Sequence, residues 1–246
     1  MVAGDIFETH TPTHLAQKMY YDFLNRLPTP YAVIISGNHD SVSLLSAPKE
    51  LLKNLNVFVV GDVSEKPEGE LIPIKKGERI AGLICAAAYN SVPQDALKNF
   101  SDVLCIAEEK RTELFSIYGE KVPIIAVGHQ SATGLENNWH SKYEGLREES
   151  INLDGIAQRV DYFALGHIHT AMTIGGKEHF RYSGSSINMN PMKGGTGGKK
   201  VVVVEFKGGK SLIKEVFVPV FQQIIKLEGS FGKVFDEVDG LIRAGV

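Results

Sequence analysis

Short apolar runs that end in glycine set the rhythm of this chain. Residues 31–36 (Tyr-Ala-Val-Ile-Ile-Ser) lead into Gly37-Asn38-His39-Asp40, and residues 122–127 into Gly128-His129. Residues 161–165 lead into Gly166-His167-Ile168-His169, and Val2-Ala3 stands as the tail of a further run before Gly4-Asp5. Apolar runs of this length without a helical period read as buried strands. Residues 57–60, 71–74 and 79–87 read as further strands, as do 172–174, 180–182, 200–206 and 212–218. The last two are joined by Lys207-Gly208-Gly209-Lys210, a strong hairpin signal. Residues 13–27 carry a helical period instead: Leu15, Met19 and Phe23 share one stripe, with Tyr20, Leu24 and Leu27 beside it, between a start at Thr11-Pro12-Thr13 and a stop at Pro28. Such a stripe is ordinarily core, and its aromatic content equally suits a partner-binding face. Residues 48–54, 94–118 and 231–244 also read as helices, and 133–152 as a polar loop over a cleft. Strands alternate with helices early and hairpins dominate late, which predicts an α/β fold of two packed mixed β-sheets flanked by helices.

The glycine-terminated strands place chemistry at their ends. Ligands in open α/β sheets bind outside the carboxyl ends of the strands. Four such ends converging would bring together the carboxylate of Asp5, the amide of Asn38 and the imidazoles of His129, His167 and His169. His167 and His169 are two apart, so in extended chain both point to one side. Neutral imidazole with oxygen donors is a transition-metal ligand set.

Composition narrows this little. The 246 residues suffice for one large domain, and 26 Lys+Arg against 29 Asp+Glu leave no strongly basic surface. Cys85 and Cys105 lie in apolar contexts and read as small core residues. No apolar run reaches membrane-spanning length. His10, His14, His140 and His179 read as surface or packing histidines. The Gly194–Lys200 stretch fails the phosphate-loop pattern and reads as a plain loop.

Gly4-Asp5, Gly37-Asn38-His39-Asp40, Gly128-His129 and Gly166-His167-Ile168-His169 resemble, in order, the motifs of the calcineurin-like metallophosphoesterases. Within that superfamily, Gly175-Gly176-Lys177-Glu178-His179-Phe180-Arg181-Tyr182-Ser183-Gly184-Ser185 and Val218-Pro219-Val220 resemble the SbcD family of nuclease subunits. The resemblance covers nearly the whole chain. It implies two divalent metal ions, Mn²⁺ first and Fe²⁺ or Mg²⁺ as alternatives. By the family pattern Asp5 bridges both ions, Asn38, His129 and His167 complete one site, and His169 serves the other. His39 is then a proton donor or charge stabiliser, with Asp40 orienting it. The resemblance further implies hydrolysis of phosphodiester bonds in DNA during repair and recombination, and an SbcC-type ATPase partner. It also implies a homodimer through helices 13–27 and 48–54, and a cytoplasmic location. Residues 1–220 would form the nuclease domain and 221–246 the start of a DNA-binding cap domain. One departure stands out: the family opens with a strand ending in Asp-x-His, and none lies between Met1 and Asp5. The expectation is therefore a fold lacking its first strand, a weakly held second ion and impaired activity. Competing expectations are a small-molecule or cyclic-nucleotide phosphodiesterase of the same superfamily, and a non-catalytic metal-binding fragment.

Overall fold

The computed structural model describes residues 1–62, 66–133, 150–189, 198–220 and 225–244. Three strands, β1 (Val2–Ala3), β2 (Ala32–Ile35) and β3 (Val57–Val60), form a parallel sheet in that order. A second, six-stranded sheet contains β4 (Leu71–Lys76), β5 (Arg79–Ala87), β6 (Ile124–His129), β7 (Tyr162–Gly166), β8 (Met172–Ile174) and β9 (Lys177–Tyr182). Its order is β4-β5-β6-β7-β9-β8, with β5, β6, β7 and β9 parallel to one another and antiparallel strands at both edges. The larger sheet is thus mixed as expected, whereas the smaller is parallel throughout. The late strands β10 (Lys200–Lys207) and β11 (Lys210–Phe217) pair only with each other among the named strands, around a Gly208-Gly209 turn with φ of 57° and 73°. That turn needs two positive φ values in succession, which glycine supplies without a Cβ penalty.

Successive side chains of the central strands face opposite ways, and both faces are covered: every residue of β2 and β6 is buried. Val33 and Ile35 of β2 face Ile125 and Val127 of β6 in a core shared by the two sheets, with Val202, Val204, Phe206 and Ile213 of the late hairpin packed against it. Ala32 and Ile34 turn the other way, onto the helices α1 (His14–Arg26), α2 (Val42–Ser46) and α3 (Lys49–Lys53), through Tyr20, Leu24, Leu45 and Leu52. Ile124 and Ala126 face α4 (Pro93–Tyr118) and α5 (Asp154–Ala157) on the far side. The result is helix, sheet, sheet, helix. Two-sided burial is why the strands read as unbroken apolar runs rather than alternating ones. Pro93 opens α4 and Gly119, at φ 71°, closes it with its N–H on the Phe115 carbonyl.

One open alternative is narrowed, one expectation is corrected and two short helices are new. The Leu15, Met19 and Phe23 stripe of α1 is exposed at 67%, 63% and 50%, while Tyr20 and Leu24 form the core face. Cys105 is exposed, on the outer part of α4, where it accepts from Arg159; only Cys85 is core. The short helices α2 and α5 went unpredicted because four or five residues carry too little period to register. Most of the expected polar loop at 133–152, and the glycine-rich stretch through residue 197, lie outside the described residues. The final helix, α6 (Phe231–Ala244), is present, and none of its residues joins the three hydrophobic clusters.

Candidate metal centre

The carboxyl ends of β1, β2, β6 and β7 meet at one place. His129 closes β6 and is 99% buried. Its Nδ1 lies 2.7 Å from the Ala3 carbonyl, which can only accept, so Nδ1 carries the proton. The opposite nitrogen, Nε2, then faces oxygens: Asn38 Oδ1 at 3.0 Å and Asp5 Oδ2 at 3.2 Å. His167 Nδ1 lies 3.0 Å from the same Asn38 oxygen. One ligand atom from each of Asp5, His129 and His167 falls within 4.8 Å of the others. Five of the expected residues are thus neighbours: Asp5, Asn38, His129 and His167 make the cluster, and His39 borders it through a 3.1 Å bond from its main-chain N–H to Asp5 Oδ1.

His169 does not join that cluster. Extended conformation stops at Gly166, and His167 has φ 90°, which breaks the same-side geometry of residues two apart. His169 instead sits in an exposed loop, electrostatically coupled to Asp5, Lys199, Glu8 and His39. Asp5, at φ 52°, is likewise a non-glycine residue in left-handed backbone. Each such position costs about 1–3 kcal/mol, and strain of this kind concentrates at functional sites. Glycines make the crowding possible. A Cβ on Gly166 would lie 1.7 Å from the Ala3 carbonyl oxygen, and one on Gly37 would lie 2.1 Å from Asp5 Oδ1.

Asp40 does not orient His39. It is almost wholly buried, and its Oδ2 accepts from the main-chain N–H groups of Gly37 (2.8 Å) and Ile6 (3.1 Å), its Oδ1 from that of Phe7 (2.9 Å). Asp40 therefore staples the loop after β1 to the loop after β2. His39 is oriented by the Glu8 carbonyl, 3.0 Å from its Nδ1, and His10 is held in the same way by the Asp40 carbonyl at 2.9 Å. His179 bonds the Ala157 carbonyl at 3.1 Å and is a packing residue of β9.

The electrostatics suit a cation. Burial alone would push the Asp5 carboxyl up, but the contact with His129 and the His39 N–H outweigh it and hold its pKa below the usual carboxylate value. Burial, reinforced by the adjacent His129 ring, pushes His167 down to about 4, so its imidazole is neutral and its lone pair available. Partial desolvation lowers His169 too, the Lys199 ammonium adds to that, and the Asp5 charge opposes both. The residues fit a divalent ion on their own geometry: with Nδ1 of His129 committed to the Ala3 carbonyl, its Nε2 converges with oxygens of Asp5 and Asn38, a mixed nitrogen and oxygen donor set that suits a cation between them. Pinning of the far ring nitrogen by a main-chain carbonyl is the usual support of a metal-bound histidine.

Two contributors were not anticipated. Tyr89 follows β5, stacks on His167 with ring centroids 6.4 Å apart and meets His129 edge-on at 6.1 Å. Lys199, just before β10, reaches the His169 carbonyl at 3.2 Å. Tyr89 lies at a strand carboxyl end like the others, so the strand-end rule could have found it despite its lack of a preceding glycine. Nothing in the local sequence marks Lys199.

Comparison with known proteins identifies the family. The family profile described as calcineurin-like phosphoesterase matches residues 1–171, more than half of the chain. The chain is 30% identical to the SbcD subunit of the SbcCD nuclease of Escherichia coli K12, over 97% of its own length and 63% of that protein's. It is 28% identical to the Bacillus subtilis protein of the same name, over 94% and 62%. It is 26% identical to the DNA double-strand break repair protein Mre11 of Sulfurisphaera tokodaii, over 90% and 52%. The chain therefore spans less than two thirds of the length of these relatives. Every motif of the metal centre lies inside the matched segment, and the chain belongs to the calcineurin-like phosphoesterase family.

Proposed function

We propose that this chain is the phosphoesterase part of an SbcD-type nuclease, hydrolysing phosphodiester bonds in DNA with divalent metal ions, Mn²⁺ first. The observation that carries the reading is the convergence of Asp5, Asn38, His129 and His167 with His39 at their border. Asp5, Asn38, His129 and His167 would hold one ion, and Asp5 with His169 a second. When bound, such ions supply Lewis acidity and neutralise charge on the phosphoryl group. The protein supplies the rest. Asp5 and Asn38 contribute oxygen donors from one sheet, His129 and His167 nitrogen donors from the other, and the Tyr89 ring shields the two imidazoles from water. His39 commits Nδ1 to Glu8 and leaves Nε2 on an exposed edge. From there His39 gives a proton to the departing sugar oxygen as the phosphorus–oxygen bond breaks, while water adds to phosphorus and releases its own proton to solvent, from which His39 is reprotonated.

Three further parts of the proposal follow the relatives and the surface. Residues 1–220 form the nuclease domain and 221–246 begin a DNA-binding cap, a reading supported by the exposed Phe231, Phe235 and Ile242 of α6. An SbcC-type ATPase is the partner, and a cytoplasmic location goes with it; no helix among the described residues is long and apolar enough to cross a membrane. A homodimer forms through α1 and α3, supported by the outward Leu15, Met19, Phe23 and Leu51. The test is hydrolysis of linear double-stranded DNA, of a cyclic nucleotide and of a simple aryl phosphodiester, with Mn²⁺ and with chelator. Mn²⁺-dependent DNA cleavage lost in His129→Ala supports the proposal. Turnover of the cyclic nucleotide alone would replace it with a small-molecule phosphodiesterase.

A further inference from the structure

Lys199 stands at the start of β10, 30 residues beyond the Gly-His-x-His loop, yet its ammonium is fixed to that loop. Nζ donates to the His169 main-chain carbonyl at 3.2 Å and to Ser185 Oγ at 2.7 Å. Ser185 completes the arrangement. Its own N–H donates to the same His169 carbonyl at 3.2 Å, and its hydroxyl, having received from Lys199, passes its single proton to the Ile187 carbonyl at 2.8 Å. Three segments distant in sequence are tied at one oxygen: the loop after β7, the loop after β9 and the entry to β10. Gly184, at φ 74°, lets the second of these approach, since a Cβ there would lie 2.7 Å from the Ala171 nitrogen and 3.0 Å from the His169 oxygen. The side chain of Lys199 is half-buried, and its charge acts on the His169 ring.

We propose that Lys199 is a positioning residue for the metal centre: it fixes the main chain of His169 and thereby holds that imidazole where the ion shared with Asp5 can use it. The idea rests on the reading of His169 as a ligand. His169 needs such a brace because no strand supports it. His129 has β6 beneath it and Ala3 beside it, whereas the chain leaves extended geometry at His167. Charge-assisted hydrogen bonds such as an ammonium to a carbonyl are stronger than neutral ones, and partners one step removed from a metal typically alter its affinity about 10–100-fold.

The experiment is a Mn²⁺ titration of the whole chain, following free ion by electron paramagnetic resonance, with circular dichroism to verify the fold. The variants are Lys199→Met, Lys199→Arg, His169→Ala and the double variant Lys199→Met/His169→Ala. We expect Lys199→Met to weaken binding roughly tenfold or more, Lys199→Arg to restore most of it, and the double variant to bind no worse than His169→Ala alone. That non-additivity separates action through His169 from a general loosening of the fold. Should Lys199→Met lose its folded spectrum, Ser185→Ala removes one anchor and is expected to shift binding in the same direction. If His169→Ala weakens binding but the Lys199 and Ser185 variants do not, or the losses add, the inference fails and the metal-centre reading stands. Equal binding by the wild type and His169→Ala overturns this inference together with the reading of His169 as a ligand, while the ion held by Asp5, Asn38, His129 and His167 stands or falls separately, by the His129→Ala comparison.

Discussion

The Nδ1 of His39 lies 3.0 Å from the main-chain carbonyl of Glu8, so the proton on that nitrogen is committed and the chemistry of His39 is confined to Nε2. Its main-chain N–H is separately held by Asp5 Oδ1. The ring is therefore positioned by the loop after β1 from two directions, without being part of the ligand cluster.

Replacing this side chain should separate catalysis from metal binding. His39→Ala removes only the exposed ring and leaves the main-chain bond to Asp5. We expect DNA hydrolysis to fall by roughly 10²–10⁴-fold, the usual contribution of a proton donor, with Mn²⁺ affinity close to that of wild type. Parallel kinetics and Mn²⁺ titration measure both, and a large loss of Mn²⁺ affinity would mean that His39 is itself a ligand.

Asp40 is expected to behave as a structural residue. Asp40→Ala leaves three main-chain N–H groups, of Ile6, Phe7 and Gly37, without their acceptor. At ~1–3 kcal/mol for each buried donor left unmade, the loss should reach about 3 kcal/mol or more. Asp40→Asn should cost less, since its amide oxygen can still serve the Ile6 and Gly37 N–H groups while its NH₂ faces that of Phe7. Urea denaturation with unchanged m-values decides this.

Methyl groups added at two glycines should have opposite consequences. Gly166→Ala drives a Cβ to 1.7 Å from the Ala3 carbonyl oxygen and 2.8 Å from His129 Nδ1, so β1 and β7 must part and Mn²⁺ binding should collapse. Gly82→Ala, within β5, meets nothing nearer than 3.7 Å and should leave both stability and Mn²⁺ binding close to wild type. Comparing the pair in the same titration controls for any general effect of substituting glycine in a strand.

The outward stripe of α1 predicts the oligomeric state. Met19 and Phe23 are exposed at 63% and 50% in the single chain, so Met19→Glu/Phe23→Glu should not disturb its core. Light scattering at tens of micromolar should give a dimer mass for the wild type and a monomer mass for the double variant. A monomer mass for both would remove the dimer from the proposal.

Much of this was legible in the sequence, for identifiable reasons. Strands 79–87 and 172–174 and helix 231–244 were placed to the residue, because each is bounded by a change in apolar pattern. The meeting of Asp5, Asn38, His129 and His167 was legible because each follows a glycine at the end of an apolar strand, a rule about backbone direction that requires no contacts. Side-chain partnerships were not legible. Asp40 adjoins His39 in sequence, yet its carboxylate accepts from the N–H of Gly37, three residues back, and from those of Ile6 and Phe7, over 30 residues away. His169 fell outside the cluster because a single φ, at His167, departs from the extended value on which the same-side argument depends. The α1 stripe shows that periodicity identifies a helix with two apolar faces without saying which one the core takes.

The candidate metal centre straddles the seam between the two sheets. Asp5 and Asn38 descend from β1 and β2, His129 and His167 from β6 and β7, and the bond from His129 to the Ala3 carbonyl crosses the gap. An ion held by all four would act as a rivet through both layers. Any ligand that binds only the assembled state adds to its stability, about 2.7 kcal/mol when present at a hundredfold excess over its dissociation constant. Loading and layer packing are thereby coupled: a cavity cut into the shared core, at Val127 or Ile35, slackens the grip on an ion those residues never touch.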